Sequence, residues 1–381
     1  MKEDNMKQGW EIKKLGEVCE VLNGYAFDSN LFTDDNTCVP IIRIRDIKRG
    51  YTETFYKGEY AQEYIINKGN YLIGMDGEFN IAEWSGKDSL LNQRVCKLSV
   101  VSSELMKRFV LWYMSIALKQ IEDETPFVTV KHLSSKKLLN IPIPVPPLPV
   151  QERIVSELDL LSGIIEKKRE QLKEFDALAQ SIFYDMFGDP ITNEKGWEVK
   201  KLGEVADIVG GSTPKTNIKE YWNGDNYWVT PAELHGTRYI SSTERCITDL
   251  AVDKAHLTQL PIGTVLLSSR APIGKVCITR VPMYCNQGFK NIICSNKLNS
   301  EYVYQYLIDK TEFLKSLGTG ATFKEISKTT TENITIPIPP LPLQRQFASK
   351  IEAIEKQKEL IKQSISETET LFNARMQEHF G

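Results

Sequence analysis

The sequence contains two copies of one pattern, and this repeat constrains the fold more than any other feature. Residues 9–24 (GWEIKKLGEVCEVLNG) and 196–211 (GWEVKKLGEVADIVGG) are identical at ten of sixteen positions. Later in each copy, residues 140–151 (NIPIPVPPLPVQ) and 333–344 (NITIPIPPLPLQ) agree at nine of twelve positions. Two matches in the same order at a nearly constant offset indicate two structural units of one architecture.

Between these shared flanks the two copies differ. Two short islands remain alike: Asn92-Gln93 matches Asn286-Gln287, and Thr129-x-Lys131 matches Thr322-x-Lys324. Each copy therefore keeps its frame and varies its interior, which favours two domains that do the same task on different targets. The sequence predicts these domains over residues 1–148 and 189–341.

A long amphipathic helix is predicted after each of these domains, over residues 149–188 and 342–381. Apolar residues recur there with alternating spacings of four and three, the pattern of a coiled-coil seam. The predicted seam residues are Ile154, Leu158, Leu161, Ile165, Leu172, Phe347, Ile351, Ile354, Ile361 and Ile365. The second seam becomes polar at Thr368, Arg375 and His379. The alternative is two separate helices, each packed on its own domain.

Each helix follows a Pro-rich segment, at residues 144–151 and 337–344. Proline blocks a continuing helix and favours an extended chain, so each segment is predicted to act as a semi-rigid hinge. A helix of about 38 residues spans about 57 Å at roughly 1.5 Å per residue. The helix pair is therefore predicted to be a spacer with a domain at each end.

The variable interiors are predicted to be α+β. Runs with strand character lie at Pro40–Ile47, Tyr71–Met75, Gln93–Val101, Thr264–Ser268 and Lys275–Thr279. The segments Glu104–Ile121 and Ser300–Leu317 have the periodicity of amphipathic helices.

Several polar side chains in these interiors suit nucleic-acid contact. Arg43 and Arg45 alternate with isoleucines, so on a strand both would face one way, either as a solvated face or as guanidinium forks for guanine or phosphate. Arg270 lies in a tight turn, SSRAPIG, which is either a phosphate-binding nest or a structural turn. The Asn-Gln pairs suit either adenine recognition or the closing of a turn by side-chain bonds. Lys131 and Lys324 precede the Pro-rich segments and are candidate phosphate anchors.

Composition narrows the class of protein. Hydrophobic residues make up 41% and charged residues 25% of the 381 residues, as in ordinary globular proteins. No apolar run approaches the roughly 20 residues that cross a bilayer, and seven scattered cysteines without a C-x-x-C pair favour a reducing cytosol. The net charge of −3 is unusual for a protein that binds nucleic acid alone. Residues 150–188 carry eight acids and five bases, so the rest of the chain is about neutral.

The repeated GWE-x-KKLGEV opening, the PPLP-x-Q segment and the long helix after it resemble the specificity subunits of type I restriction-modification systems. The strings LLNQRV, SSRAPIG, NQGFKN and TVKHLSS add to the resemblance, which covers essentially the whole chain. It implies two α/β target recognition domains joined by two long antiparallel coiled-coil helices. Each domain would read one half of a split double-stranded DNA target, with two methyltransferase subunits and restriction-translocation subunits as partners.

The variable interiors carry over no base-contact residues from the family, so the contact set is inferred from the residues themselves. The predicted DNA-binding residues are Arg43, Arg45, Asn92, Gln93, Arg94, Lys131, Lys215, Arg270, Gln287, Lys290 and Lys324.

An enzyme is the first alternative. The sequence lacks the Asn-Pro-Pro-Tyr or Asp-Pro-Pro-Tyr motif of amino-methylation, and its segment 318–324 (GTGATFK) lacks the Gly-Lys-Ser/Thr ending of a phosphate loop. The sequence therefore predicts no catalytic residues, no metal and no cofactor. A coiled-coil adaptor whose domains bind proteins is the second alternative, and composition does not exclude it.

Overall fold

The computed structural model describes residues 9–124, 131–319 and 324–381. The chain forms two compact units: unit 1 comprises residues 1–169 and 363–381, and unit 2 comprises residues 170–362. Each unit combines small sheets, short helices and a segment of each of two long helices. The predicted α+β class with a repeated architecture is confirmed.

Unit 1 is built on small, mainly antiparallel sheets. Its strands are β1 (Glu11–Lys14), β2 (Cys19–Asn23), β3 (Phe32–Thr33), β4 (Val39–Ile42), β5 (Phe55–Tyr56), β6 (Ile65–Ile66), β7 (Tyr71–Gly74), β8 (Asn80–Glu83), β9 (Ser89–Leu91), β10 (Val95–Val100) and β11 (Pro142–Val145). They form one sheet in the order β2-β10-β7-β8, a second in the order β3-β5-β4-β9-β6, and the pair β1-β11. The strands predicted around β7 and β10 are confirmed.

The helices of unit 1 cover the four-stranded sheet. They are α1 (Leu15–Val18), α2 (Lys107–Glu124), α3 (Ser135–Leu139) and the first part of the long helix α4 (Leu148–Phe187). The predicted helix at Glu104–Ile121 is α2, whose Phe109, Tyr113 and Ala117 are buried with the sheet residue Ile73. Each large apolar side chain buried in this way contributes roughly 1.5–3 kcal/mol, which fixes α2 on the sheet.

Unit 2 repeats this plan with a different interior. Its strands are β12 (Val199–Lys201), β13 (Ala206–Gly210), β14 (Trp222–Val229), β15 (Tyr239–Ile240), β16 (Cys246–Ile247), β17 (Val265–Leu267), β18 (Val276–Thr279), β19 (Tyr284–Cys285), β20 (Lys290–Cys294) and β21 (Thr335–Pro337). They form the sheets β13-β20-β17-β18-β15 and β16-β14-β19 and the pair β12-β21. The predicted strands at Thr264–Ser268 and Lys275–Thr279 are β17 and β18.

One predicted helix of unit 2 is interrupted. The unit's helices are α5 (Leu202–Val205), α6 (Asp249–Lys254), α7 (Ser300–Asp309), α8 (Thr311–Ser316), α9 (Lys328–Glu332) and the first part of α10 (Leu341–Phe380). The segment predicted as one helix from Ser300 to Leu317 is therefore two. Lys310 leaves the helical region at φ −99° and ψ 17°, and the Thr311 hydroxyl donates to the carbonyl of Ile308 at 2.7 Å.

The Pro-rich segments, residues 144–151 and 337–344, are extended only in their first half, because α4 already begins at Leu148 and α10 at Leu341. β11 pairs with β1, and β21 pairs with β12, both antiparallel. These ladders tie the end of each domain to its beginning. The prediction of a semi-rigid hinge is therefore corrected: strand pairing holds the start of each segment, and its end is the first turn of a long helix, where proline is tolerated.

A fully buried glutamine anchors the start of each long helix. The Oε1 atom of Gln151 accepts the backbone N–H of Met106 at 2.8 Å, and its Nε2 donates to the carbonyls of Glu104 and Pro146 at 2.7 Å each. In unit 2, Gln344 likewise accepts from Asn299 at 2.8 Å and donates to Lys297 at 3.1 Å and Pro339 at 2.8 Å. The last residue of the PPLP-x-Q motif thus joins helix and domain in both units.

All ten predicted seam residues are buried or half-buried, and the two long helices contact each other within each unit. In unit 1, residues 148–169 of α4 run antiparallel to residues 363–381 of α10, and Glu157 contacts Arg375 at 2.9 Å and His379 at 3.0 Å. In unit 2, residues 170–187 run antiparallel to 341–362, and the rings of Phe183 and Phe347 lie 5.6 Å apart. The polar residues at the end of the second seam, Arg375 and His379, therefore have a polar partner in Glu157. The alternative of two separate helices is wrong, because the two helices contact each other.

Asp309 is expected to make unit 2 less stable at neutral than at acid pH. Burial is the largest cause that raises the pKa of this carboxyl, to about 6, and its buried Oδ2 has no hydrogen-bond partner. The folded state then binds the proton more tightly than the unfolded state. Stability is therefore highest below the unfolded pKa and falls as pH rises through 6. Asp309→Asn should remove this fall, raising stability at pH 8 by about 1–2 kcal/mol after allowance for partial exposure.

Thermal melting at pH 5 and pH 8 measures the effect of Asp309→Asn. The control is Asp185→Asn, which removes one negative charge from an exposed position on α4. Equal changes in melting temperature for both variants at both pH values would contradict the prediction.

Candidate nucleic-acid interface

Each unit contains a corner at which one strand ends beside the start of another. In unit 1 these strands are β7 and β10, and in unit 2 they are β17 and β20. In unit 1, the N–H of Met75 donates to the carbonyl of Arg94 at 2.9 Å. In unit 2, the N–H of Ser269 donates to the carbonyl of Gly288 at 2.8 Å. These matching bonds place the repeated Asn-Gln pairs at equivalent positions, and we call each place the Asn-Gln corner.

In unit 1, a carboxylate at the corner binds two cationic or polar groups. Oδ2 of Asp76 lies 3.1 Å from Nε of Arg94, and Oδ1 lies 2.5 Å from Nδ1 of His132. Asn23, Ser134 and other polar residues line the same cleft, whose volume is about 530 Å³. Arg94 was predicted, whereas Asp76 and His132 were not.

Arg94 has an unusual backbone conformation. Its φ is +74°, in the left-handed region that non-glycine residues rarely adopt. Such a conformation costs on the order of 1 kcal/mol and concentrates at functional sites. The strain therefore supports a role for the Arg94 side chain beyond packing.

In unit 2, the Glu325 carboxylate contacts two of the residues that were predicted to bind DNA. Its Oε2 lies 2.9 Å from Nε of Arg270, and its Oε1 lies 2.9 Å from Nζ of Lys290. Burial raises the pKa of the Glu325 carboxyl, but hydrogen bonds and charge from Lys290 and Arg270 outweigh it and hold that pKa below its ordinary value. Glu325 is therefore ionised at neutral pH and orients both cations.

The Asn-Gln pairs divide into two roles. The Oδ1 of Asn92 accepts the N–H of Gln93 at 2.9 Å, and the Oδ1 of Asn286 accepts the N–H of Gly288 at 2.8 Å. The Asn286 bond spans two residues and closes a turn, one of the two predicted alternatives, whereas the Asn92 bond joins neighbouring residues and decides neither alternative. Gln93 and Gln287 are exposed, and Gln287 accepts a hydrogen bond from the hydroxyl of Thr213.

The predicted lysines lie in unlike environments. The ammonium of Lys131 donates to the carbonyl of Glu122 in the last turns of α2, which satisfies a helix end. Its counterpart Lys324 and the predicted Lys215 are exposed. Thr129 and Thr322, which accompany these lysines in the sequence repeat, lie outside the described residues.

Arg43 and Arg45 do not lie on a strand, which corrects the prediction for Pro40–Ile47. Strand β4 ends at Ile42, and residues 44–46 form a 3₁₀ turn because the buried carboxylate of Asp46 accepts the N–H of Arg43 at 2.9 Å. Both arginines nevertheless line one cavity of about 390 Å³. Arg49, which the sequence did not single out, joins them there beside Glu53.

The unpredicted site residues are mainly the acids that hold the predicted cations. Asp76 and Glu325 are distant in sequence from their partners, and an isolated carboxylate gives no periodic signal. Within the described residues, no group of three histidine, cysteine, aspartate or glutamate side chains is arranged to hold a metal ion. No helix in the described ranges is long and apolar enough to cross a membrane.

Comparison with known sequences defines the class of domain that occurs twice here. Residues 7–174 and 194–370 each match the type I restriction modification DNA specificity domain. The chain therefore belongs to the type I restriction-modification DNA specificity family, as the repeated motifs indicated.

Individual relatives agree with this assignment. A stretch of 159 residues, 41% of this chain and 37% of the relative, is 45% identical to the type I restriction enzyme MjaIX specificity subunit of Methanocaldococcus jannaschii. A stretch of 219 residues, 58% of this chain, is 36% identical to the EcoBI specificity subunit of Escherichia coli and spans 46% of it. The chain thus matches less than half the length of these two relatives. The putative MjaX specificity subunit of M. jannaschii is 25% identical over 93% of this chain and 90% of its own length.

Solved structures show the same fold. The S subunit of a type I restriction-modification system from M. genitalium aligns with 100% of this chain and 98% of its own, with a TM-score of 0.59 and 13% identity. A chain from a study of complex assembly and conformational transition of the type I R-M system aligns with 99% of this chain and 98% of its own, with a TM-score of 0.54 and 20% identity.

Proposed function

We propose that this chain is the DNA sequence-recognition subunit of a type I restriction-modification complex and that it reads an asymmetric, bipartite target. The observation that carries the proposal is the difference between two equivalent sites. The Asn-Gln corners share a backbone arrangement, yet they present Asp76, Arg94 and His132 in unit 1 and Arg270, Lys290 and Glu325 in unit 2. Two domains with one frame and different polar surfaces suit two different half-sites.

The proposed division of labour follows the sequence boundaries. Residues 1–148 and 189–341 are the two target recognition domains, and residues 149–188 and 342–381 are the spacer helices. The chain is proposed to be non-catalytic and to need no cofactor of its own. Because its net charge is −3, partner subunits are proposed to supply part of the phosphate neutralisation.

The long helices are proposed to dock two methyltransferase subunits, to which restriction-translocation subunits are added. The helices carry exposed leucines that such partners would cover. They are Leu160, Leu178, Leu360 and Leu371. Leu178 and Leu371 stand at matching positions of the repeat, nine residues before Phe187 and Phe380.

Sequencing of methylated DNA in the native host tests the proposal. With the chain intact, we expect one methylated motif made of two unlike half-sites separated by a fixed number of unspecified base pairs. Deletion of the chain should abolish this methylation, and the full chain supplied in trans should restore it. A motif that survives deletion, or one that is palindromic and unbroken, would contradict the proposal.

A further inference from the structure

The two Asn-Gln corners contain one carboxylate each, but on opposite sides of the same backbone bridge. An isolated antiparallel bridge joins Asp76 to His132 in unit 1 and Arg270 to Glu325 in unit 2. The N–H of Leu133 bonds to the carbonyl of Met75, as the N–H of Ile326 bonds to the carbonyl of Ser269. Asp76 is therefore equivalent to Arg270, and His132 is equivalent to Glu325. The acidic residue is the first partner of the bridge in unit 1 and the second partner in unit 2.

The exchange changes what each corner offers to solvent. In unit 1, the Asp76 side chain is only 15% exposed, whereas Arg94 and His132 are 64% and 63% exposed. The Asn-Gln corner of unit 1 therefore presents the side-chain nitrogen atoms of Arg94 and His132 to solvent. In unit 2, Arg270 is 46% exposed and Glu325 is 34% exposed, whereas Lys290 is 12% exposed. This corner presents a guanidinium donor together with a carboxylate acceptor.

A carboxylate in each cluster argues for base edges over phosphate as the ligand. A phosphate oxygen would approach the negative charge of Asp76 or Glu325, which opposes binding. A guanidinium held in place by a carboxylate is suited to the paired acceptors of guanine in the major groove, and a carboxylate accepts from the amino group of cytosine. The strained backbone of Arg94 is a separate observation that favours a role in recognition.

We propose that the side-chain clusters at these bridges determine the specificity of the two domains, with Arg94 beside one bridge and Arg270 in the other each donating to a guanine. Glu325 additionally accepts from the paired cytosine or from a neighbouring amino group, so the two half-sites differ at this position. This inference rests on the proposed function, because it names the residues that read each half of the target.

Variants of the full chain in the native host test the inference. Arg94→Gly is the sharpest, because glycine adopts a φ of +74° without strain and the variant should melt no lower than the parent chain. Arg94→Lys and Arg270→Lys keep the charge but lose the planar fork. Lys119→Ala and Lys315→Ala are controls that remove one exposed cation from α2 and from α8.

Genome-wide methylation should lose discrimination at one base of one half-site in both Arg94 variants. It should lose discrimination at one base of the other half-site in Arg270→Lys. The expected loss is about five- to 150-fold at that base, with the other half unchanged. The controls should leave the motif as it is. The inference is overturned if folded variants keep the parent motif, or if methylation falls evenly over all sites. Absence of any bipartite motif with the parent chain would instead overturn the proposed function.

Discussion

Replacement of Arg238 by alanine is expected to lower the free energy of unfolding of unit 2 by about 3–5 kcal/mol. The guanidinium lies between β14 and β15 in sequence and is 7% exposed. It contacts Glu301 at 3.2 Å, Glu355 of α10 at 3.3 Å and Gln305 at 2.8 Å. Its removal leaves the buried carboxylate of Glu301 without its main partner, whereas Glu355 keeps Lys358 at 2.9 Å. A buried charge that has lost its partner costs more than the ion pair itself contributes.

The loss should also depend on pH. Burial is the first cause that raises the pKa of Glu301, while the charge of Arg238 opposes this rise. Without Arg238 the folded-state pKa of Glu301 rises further. The carboxyl then accepts a proton in mildly acid solution, so Arg238→Ala should be less destabilising at pH 5 than at pH 8.

Urea unfolding at both pH values, with hydrogen exchange of the β17 and β18 amides, measures the Arg238→Ala effect. Arg280→Ala is the matched control, because Arg280 is 40% exposed and lies 4.0 Å from the same Glu301. Its loss should cost no more than about 1 kcal/mol. Similar values for the two variants would show that burial of the Arg238 network contributes nothing.

Replacement of Gln151 or Gln344 by alanine is expected to cost about 3 kcal/mol in the unit that contains it. Each glutamine satisfies three backbone groups at the start of a long helix, and each side chain is fully buried. Alanine leaves these groups unpaired, and an unsatisfied buried polar group costs about 1–3 kcal/mol.

The glutamine variants should lose protection from hydrogen exchange at the N-terminal turn of the affected helix before other parts of the chain do. Gln357→Ala is the control, since Gln357 is exposed on α10. If Gln151→Ala and Gln344→Ala melt like this control, the motif glutamine is not an anchor.

The elements that the two units have in common can be predicted from the sequence, because their pattern occurs twice and their apolar residues are strongly periodic. The spacing of apolar residues predicts both long helices, α2 and four of the interior strands. At residues 43–46 the alternation of isoleucines predicts a longer strand than the structure has. The strand ends there because the buried Asp46 carboxylate accepts the N–H of Arg43. The apolar spacing also predicts one continuous helix across Lys310, where the backbone instead leaves the helical region and separates α7 from α8.

The candidate site is less predictable, because it depends on pairs that are distant in sequence. The sequence indicates Arg270 and Lys290 only as isolated cations, yet their geometry is set by Glu325, 55 residues after Arg270. The sequence leaves the role of Asn286 open between base contact and turn closure, and only the observed Oδ1 bond to Gly288 favours closure. Gln151 and Gln344 are visible as repeated letters, but their function requires backbone partners about 45 residues away.

The discontinuity of unit 1 has a consequence for biosynthesis. Its hydrophobic core includes Met376 and Phe380, with Phe372 packed against it, and the ring of Phe380 lies 5.4 Å from that of Phe109. The ribosome makes these residues only after the whole of unit 2. The apolar groove that receives them is therefore uncovered throughout translation of residues 170–362, and unit 1 closes after unit 2 has emerged. A nascent chain stalled near residue 362 should expose that groove to chaperones.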